Sequence, residues 1–284
     1  MINVNNLFHS YTKDDNYAVK DVSFNVKKGE IFGFLGPSGA GKSTTQNILI
    51  GLLKLQKGKV IVADKEIRRF GKELFNTIGV SFEQPNVYKK LTGIENLKFH
   101  ASMYSVPTKN PEELLTMVGL EDSINKRAEG YSKGMLQRLV FARSMINDPS
   151  IWFLDEPTSG LDPTTAAKIK EIIKQKRSEG TTIFMTTHNM QIADDLCDRI
   201  AFITDGQISA IDSPRNLKLK YGQKLVKVTQ RTESGIVEKR FSIIDNKEKQ
   251  QLKKIIDDNN FETMHSQEAT LEEIFIKVTG RRLE

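Results

Sequence analysis

The stretch "GPSGAGKST", Gly36 to Thr44, decides the fold. It follows a short apolar run, "IFGFLG", and leads into "STTQNILIGLL", whose apolar residues recur at helical spacing. The order is strand, loop, helix. In this spacing the glycines let consecutive backbone N–H groups turn toward one anion, and the helix points its positive end at the same place. Gly36, Pro37, Ser38, Gly39, Ala40 and Gly41 form the cradle, and Lys42 is placed to reach the β- and γ-phosphates of a nucleotide. The Ser43 hydroxyl is placed for Mg²⁺, and Thr44 carries the chain into the helix. A merely flexible Gly-rich turn has no reason to keep this spacing between a strand and a helix.

Working outward, "IWFLDEP" (Ile151 to Pro157) and "TTIFMTTH" (Thr181 to His188) are two more apolar runs that end in polar residues. Between them "PTTAAKIKEIIKQKR" reads as an amphipathic helix opened by Pro163, the βαβ rhythm of a parallel sheet. Functional residues then collect at the carboxyl ends of strands. From Pro85 to Asn147 the pattern turns helical, with "GIENLKFHASMYS", "NPEELLTMVGL" and "SKGMLQRLVFARSMI". After Pro214 it becomes polar and β-rich: "QKLVKVTQR" and "GIVEKRFSI" flank "TESG" as a hairpin, with helices around Lys247 to Asp257 and Thr270 to Val278. The expected fold is α/β: a P-loop core with a mixed, mainly parallel sheet over residues 1–216, a helical subdomain over about 85–147, and a small α/β appendage over 217–284.

Composition narrows the function classes. The net charge of +6 is mild and no half of the chain is strongly basic, so nothing advertises nucleic acid. Cys197 is the sole cysteine and reads as a helix residue packed on the core. The first residues, "MINVNNLFHSY", lack the pattern of a secretory signal, and no 18 apolar residues run together to span a membrane. If the protein serves a membrane, another chain must cross it.

"IWFLDEP" supplies the second half of a nucleotide site. Asp155 is delivered to the sheet edge, where a carboxylate holds Mg²⁺ through water, and Glu156 beside it can take a proton from an attacking water. A third stretch, "EGYSKGMLQRL" (Glu129 to Leu139), has the Ser, Gly and helix start of a phosphate-binding turn and no carboxylate suited to the chemistry. Its plainer reading is a Ser132 helix cap.

Together these motifs resemble the ATPase subunit of an ATP-binding cassette (ABC) transporter, from Met1 to about Asn216. The stretch Tyr131-Ser132-Lys133-Gly134-Met135 resembles that family's signature, usually Leu-Ser-Gly-Gly-Gln. The resemblance implies that this turn grips the γ-phosphate of an ATP held by a second subunit, so its carboxylates belong to the partner. It further implies that Tyr11 stacks on adenine, that His188 contacts the γ-phosphate, and that Asp162 of "SGLD" reaches toward the opposite subunit. Two departures stand out. Glu83 occupies the place of the family's Mg²⁺-contacting Gln, with Gln84 one step later, and Lys133 and Met135 replace Gly and Gln.

The resemblance therefore implies ATP and Mg²⁺ as ligands, a second ATP-binding subunit, identical or not, and a separate polytopic membrane subunit. It places the chain at the cytoplasmic face of the cell membrane. "YSKGM" and "TLEEIFIKVTGR" resemble the exporter branch. A soluble ABC ATPase acting on DNA or ribosomes is the alternative, although such proteins generally carry a coiled-coil insertion or two cassettes. A P-loop kinase would need lid arginines, and Glu156 with His188 suggests water as the acceptor instead.

Overall fold

The structure, a computed structural model, describes residues 1–12, 16–71, 73–232 and 235–282. It divides into two units, Met1–Ser213 and Pro214–Arg282. The first contains, in chain order, β1 (Ile2–His9), β2 (Val19–Val26), β3 (Ile31–Leu35), α1 (Lys42–Leu49), β4 (Lys57–Val62), β5 (Lys65–Glu66), α2 (Glu73–Thr77) and β6 (Ile78–Ser81). It continues with α3 (Gly93–Ala101), α4 (Pro111–Met117), α5 (Lys133–Arg143), β7 (Ile151–Asp155), α6 (Pro163–Ser178), β8 (Thr182–Thr187), α7 (Met190–Leu196), β9 (Arg199–Thr204) and β10 (Gln207–Asp212).

Six strands form a sheet in the order β10-β9-β3-β8-β7-β6. Its neighbours pair in parallel from β9 to β6, and β10 is an antiparallel edge. All five residues of β3 and all six of β8 are buried, as strands covered on both faces require. A second, antiparallel sheet runs β2-β1-β4-β5. The two sheets share one apolar core: Phe24 of β2 stacks on Phe32 of β3 at 5.4 Å and lies 5.9 Å from Phe184 of β8. Truncating a ring so enclosed costs about 3–5 kcal/mol. The core fixes the loop after β3, because a β-carbon on Gly36 would sit 2.1 Å from the Ile203 carbonyl oxygen.

The chain between β6 and β7 folds as helices, each with a recognisable start. Thr92 and Glu95 form a reciprocal capping box on α3, Asn110 caps α4 with Pro111 at its first position, and Ser132 caps α5. Tyr131 donates its hydroxyl to the Ser123 carbonyl at 2.6 Å, and Arg138 donates to the Gly119 carbonyl. These bonds pin the turn before α5 to its neighbours. Cys197 is buried but lies one residue past the end of α7 in extended backbone, so the expectation that it is a helix residue is corrected.

The second unit holds α8 (Pro214–Tyr221), β11 (Leu225–Thr232), β12 (Gly235–Ser242), α9 (Asn246–Asp257), β13 (Thr263–Gln267) and α10 (Leu271–Thr279). Its sheet, β12-β11-β13, is antiparallel around Val228, Phe241 and Leu252. The β11–β12 pairing runs to Thr232 opposite Gly235. Glu233 and Ser234, where the expected hairpin turn falls, lie outside the described residues. Among the described residues no helix is long and apolar enough to cross a membrane.

Candidate functional site

The carboxyl ends of the parallel strands carry the site. The loop after β3 enters α1 through Gly41, whose φ of 103° is the left-handed conformation that glycine tolerates. A β-carbon there would lie 2.6 Å from the Ala18 carbonyl oxygen, whereas one on Gly39 meets nothing within 4 Å. The loop is packed from behind and open in front. Lys42 donates to the carbonyls of Gly36 at 2.6 Å and Pro37 at 2.9 Å. Burial lowers its pKa, against an opposing pull from Glu156, Asp155 and Glu83.

Loop and carboxylates meet in one cavity of about 520 Å³. Ser38, Gly39, Gly41, Lys42, Ser43 and Thr44 line one part of it, and Glu83, Asp155, Glu156 and His188 another. Tyr11 and Ala18 complete the wall. Gly36, Pro37 and Ala40 belong to the loop without facing the cavity. Tyr11 is 64% exposed, its ring meets His9 edge-on at 5.0 Å, and its hydroxyl is 3.0 Å from Thr44 Oγ1. An aromatic face is thereby presented to solvent at the cavity edge.

The two carboxylates are held differently. Thr186 Oγ1 donates to Asp155 Oδ1, and the β7–β8 register sets these residues opposite each other. Burial still holds the Asp155 carboxyl above the ordinary carboxylate range, although the Thr186 hydrogen bond opposes it. Glu156 is only 7% exposed and has a φ of 47°. Its Oε2 accepts from Thr187 Oγ1 at 2.8 Å, while Oε1 accepts from the His188 backbone N–H at 2.7 Å and lies 2.6 Å from His188 Nδ1. A carboxylate so held keeps one orientation toward the cavity. Thr186, Thr187 and Ala18 are the site residues that sequence reading misses. The Thr-Thr pair before His188 was the available signal, but only the strand register assigns one hydroxyl to each acid.

The donor set fits its expected ligands. Ser43, Asp155 and Glu83 offer hard oxygens suited to Mg²⁺. Among the described residues no three His, Cys, Asp or Glu gather to form a cage.

Ser132, Lys133, Gly134 and Asp162 do not line this cavity. Ser132 Oγ caps α5 by accepting from Met135 N at 3.2 Å. Helix geometry leaves the N–H groups of Lys133 and Gly134 directed out of the helix mouth. A β-carbon added to Gly134 would meet Leu161 at 3.7 Å, and one on Gly160 would meet Lys133 Cε at 3.4 Å. The signature turn therefore abuts the 159–162 loop within one chain. Asp162 caps α6, accepting from Thr165 N at 3.0 Å and Thr165 Oγ1 at 2.6 Å. Those two bonds hold its carboxyl below the usual range.

A P-loop, a carboxylate pair at strand ends and a helical insertion ending in a signature turn define an ATP-hydrolysing cassette. Comparison with known proteins agrees. The ABC transporter family profile matches residues 19–159. The fluoroquinolones export ATP-binding protein of Mycobacterium tuberculosis is 50% identical over 284 residues, covering 100% of this chain and 94% of that one. The lantibiotic transport ATP-binding protein SrtF of Streptococcus pyogenes is 35% identical over 80% of this chain and 98% of its own. Among solved structures, the dimeric post-hydrolysis cassette MJ0796 bound to ADP and Pi aligns with a TM-score of 0.69 at 30% identity, covering 75% of this chain and 98% of that one.

The chain belongs to the ABC transporter family, as an ATP-binding subunit that hydrolyses ATP. Subunits of this class work as dimers with membrane subunits.

Proposed function

We propose that this chain powers export: two cassettes close on two ATP molecules, and cleavage lets them reopen, moving a separate polytopic membrane subunit between two orientations. The observation that carries the reading is Glu156, held by Thr187 and His188 at the wall of the cavity that also contains Lys42 and Asp155. Water attacks the γ-phosphorus, Glu156 takes its proton, and the bridging oxygen leaves with ADP. Ser43, Asp155 and Glu83 would hold Mg²⁺ at the cavity wall, where the ion would supply positive charge against the phosphate oxygens. Tyr11 stacks on the base, and His188 orients Glu156 and meets the γ-phosphate.

Closure needs a differential contact. Shifting a two-state equilibrium from 1:99 to 99:1 takes about 5.5 kcal/mol. ATP bound by Lys42 and Asp155 of one copy alone has no preference for the closed dimer. Ser132, Lys133 and Gly134 of the second copy supply it, through a hydroxyl and N–H groups at a helix mouth. Asp162 faces the same junction. The partner is a second ATP-binding subunit, identical or paralogous.

The membrane subunit docks beside Glu83. A groove of about 560 Å³ is walled by Leu52, Phe75, Phe82, Tyr88, Met103 and Arg143. Arg143 fastens its floor by donating to the Asn86 carbonyl at 2.6 Å. Residues 82–88 thus run from the nucleotide cavity, at Glu83, to the groove. This supports a place at the cytoplasmic face of the membrane, and the name of the 50% identical fluoroquinolones export relative supports export over import. Purification from membranes tests the reading: a co-purifying polytopic protein that raises the ATPase rate on reconstitution is expected. Stimulation by ribosomes or DNA, with no membrane partner, would contradict it.

A further inference from the structure

The second unit contains two cavities that ATP chemistry does not use. One, of about 340 Å³, is walled by Arg215, Lys218 and Leu219 of α8, by Lys224 before β11, and by Gln267 and Glu268 at the end of β13. The other, of about 390 Å³, shares Leu225, Gln267 and Glu268 with it. The β11–β13 register sets Leu225 opposite Gln267, so the common wall is part of the sheet.

Three features of the first cavity converge on one ligand chemistry. The lining includes Arg215, Lys218 and Lys224 and a single carboxylate, Glu268, so its formal charge is positive. Leu219 is 71% exposed and Ile243 41% exposed, and both contribute apolar wall. Gln267 Oε1 is buried without a hydrogen-bond partner among the described residues. A buried acceptor left unmatched calls for a donor, and apolar walls with a few placed polar groups are typical of small-molecule sites. Inorganic phosphate leaves the apolar walls unused, and a neutral hydrocarbon leaves the cations unused. We infer that this unit binds an amphipathic organic anion bearing a hydrogen-bond donor, its charge toward Arg215 and Lys224, its apolar body against Leu219 and Ile243, and its donor on Gln267.

8-Anilinonaphthalene-1-sulfonate has these three features and serves as the probe. It is titrated into the full chain with saturating MgADP, so that the nucleotide cavity is filled, and followed by fluorescence and equilibrium dialysis. One saturable site per chain is expected. Affinity should fall at least tenfold in Arg215→Glu/Lys224→Glu and at least threefold in Gln267→Leu. Uncharged N-phenyl-1-naphthylamine should change less than twofold on the charge reversal. Unchanged ATPase activity and thermal midpoint identify variants that keep the fold. Absence of a saturable site, or equal affinity for the sulfonate in wild type and such variants, would overturn the inference.

Discussion

The carboxylate of Glu156 accepts from the His188 backbone amide at 2.7 Å and lies 2.6 Å from its Nδ1, so acid and histidine are fixed to each other at two points. A carboxylate is an acceptor only, so Nδ1 carries the proton and Nε2 is left for a phosphate or water. Glu156→Gln keeps the shape and removes the base. General-base catalysis contributes typically 10²–10⁴-fold, so turnover should fall by about 100-fold or more while MgATP binding persists. Single-turnover ATPase and size exclusion with ATP check both effects. Rapid turnover in the variant would remove Glu156 from the mechanism.

Lys42 bonds to the carbonyls of its own loop, within reach of the phosphate cradle. A hydrogen bond involving a charged group contributes about 1.5–3 kcal/mol, so Lys42→Ala should weaken MgATP binding by roughly tenfold or more. Isothermal titration measures it directly. Undiminished affinity would mean that the loop does not cradle phosphate.

How much of this was legible in the sequence depended on how local each signal was. The P-loop, β3, β7, β8 and α6 are written in contiguous residues and found where spacing puts them. The antiparallel sheet was not legible. Register shifts interrupt β1 between Val4 and Leu7 and again before His9, and Asn6 takes a positive φ, so its alternation is broken in sequence. Thr186 and Thr187 gain meaning only from long-range pairing with the Asp155 strand. The roles proposed for Ser132 and Gly134 need a second chain, so they come from the family resemblance of the signature turn and not from spacing or periodicity.

Thr186 should shift the pH profile. Its hydrogen bond favours the charged form of Asp155, whose carboxyl burial already holds above the ordinary range. Thr186→Val should raise that pKa further, so the acid limb of kcat/KM for MgATP moves to higher pH. Profiles between about pH 5 and 9 test this; superimposable limbs would show that Asp155 does not govern it.

His100 offers a stability prediction. Burial first, then the Arg143 charge, lowers its pKa from 6.5 to about 4. Between those values the unfolded chain binds more protons than the folded one, so stability rises with pH there. This contribution is intact above 6.5 and is lost as pH falls toward 4. Urea midpoints should therefore drop from pH 7 to pH 5, and less steeply in His100→Gln. Equal drops would contradict the assignment.

The most direct test of a nucleotide site shared between two copies is a crosslink between the P-loop of one and the signature turn of the other. Cys197 is buried, and burial pushes its thiol well above the ordinary range, so the native cysteine does not compete. In Glu156→Gln carrying Ser38→Cys and Ser132→Cys, ATP should produce an intermolecular crosslink that is absent without nucleotide. Failure of that crosslink with ATP, while a chain with Glu156 intact and the same two cysteines still hydrolyses ATP, would contradict the account.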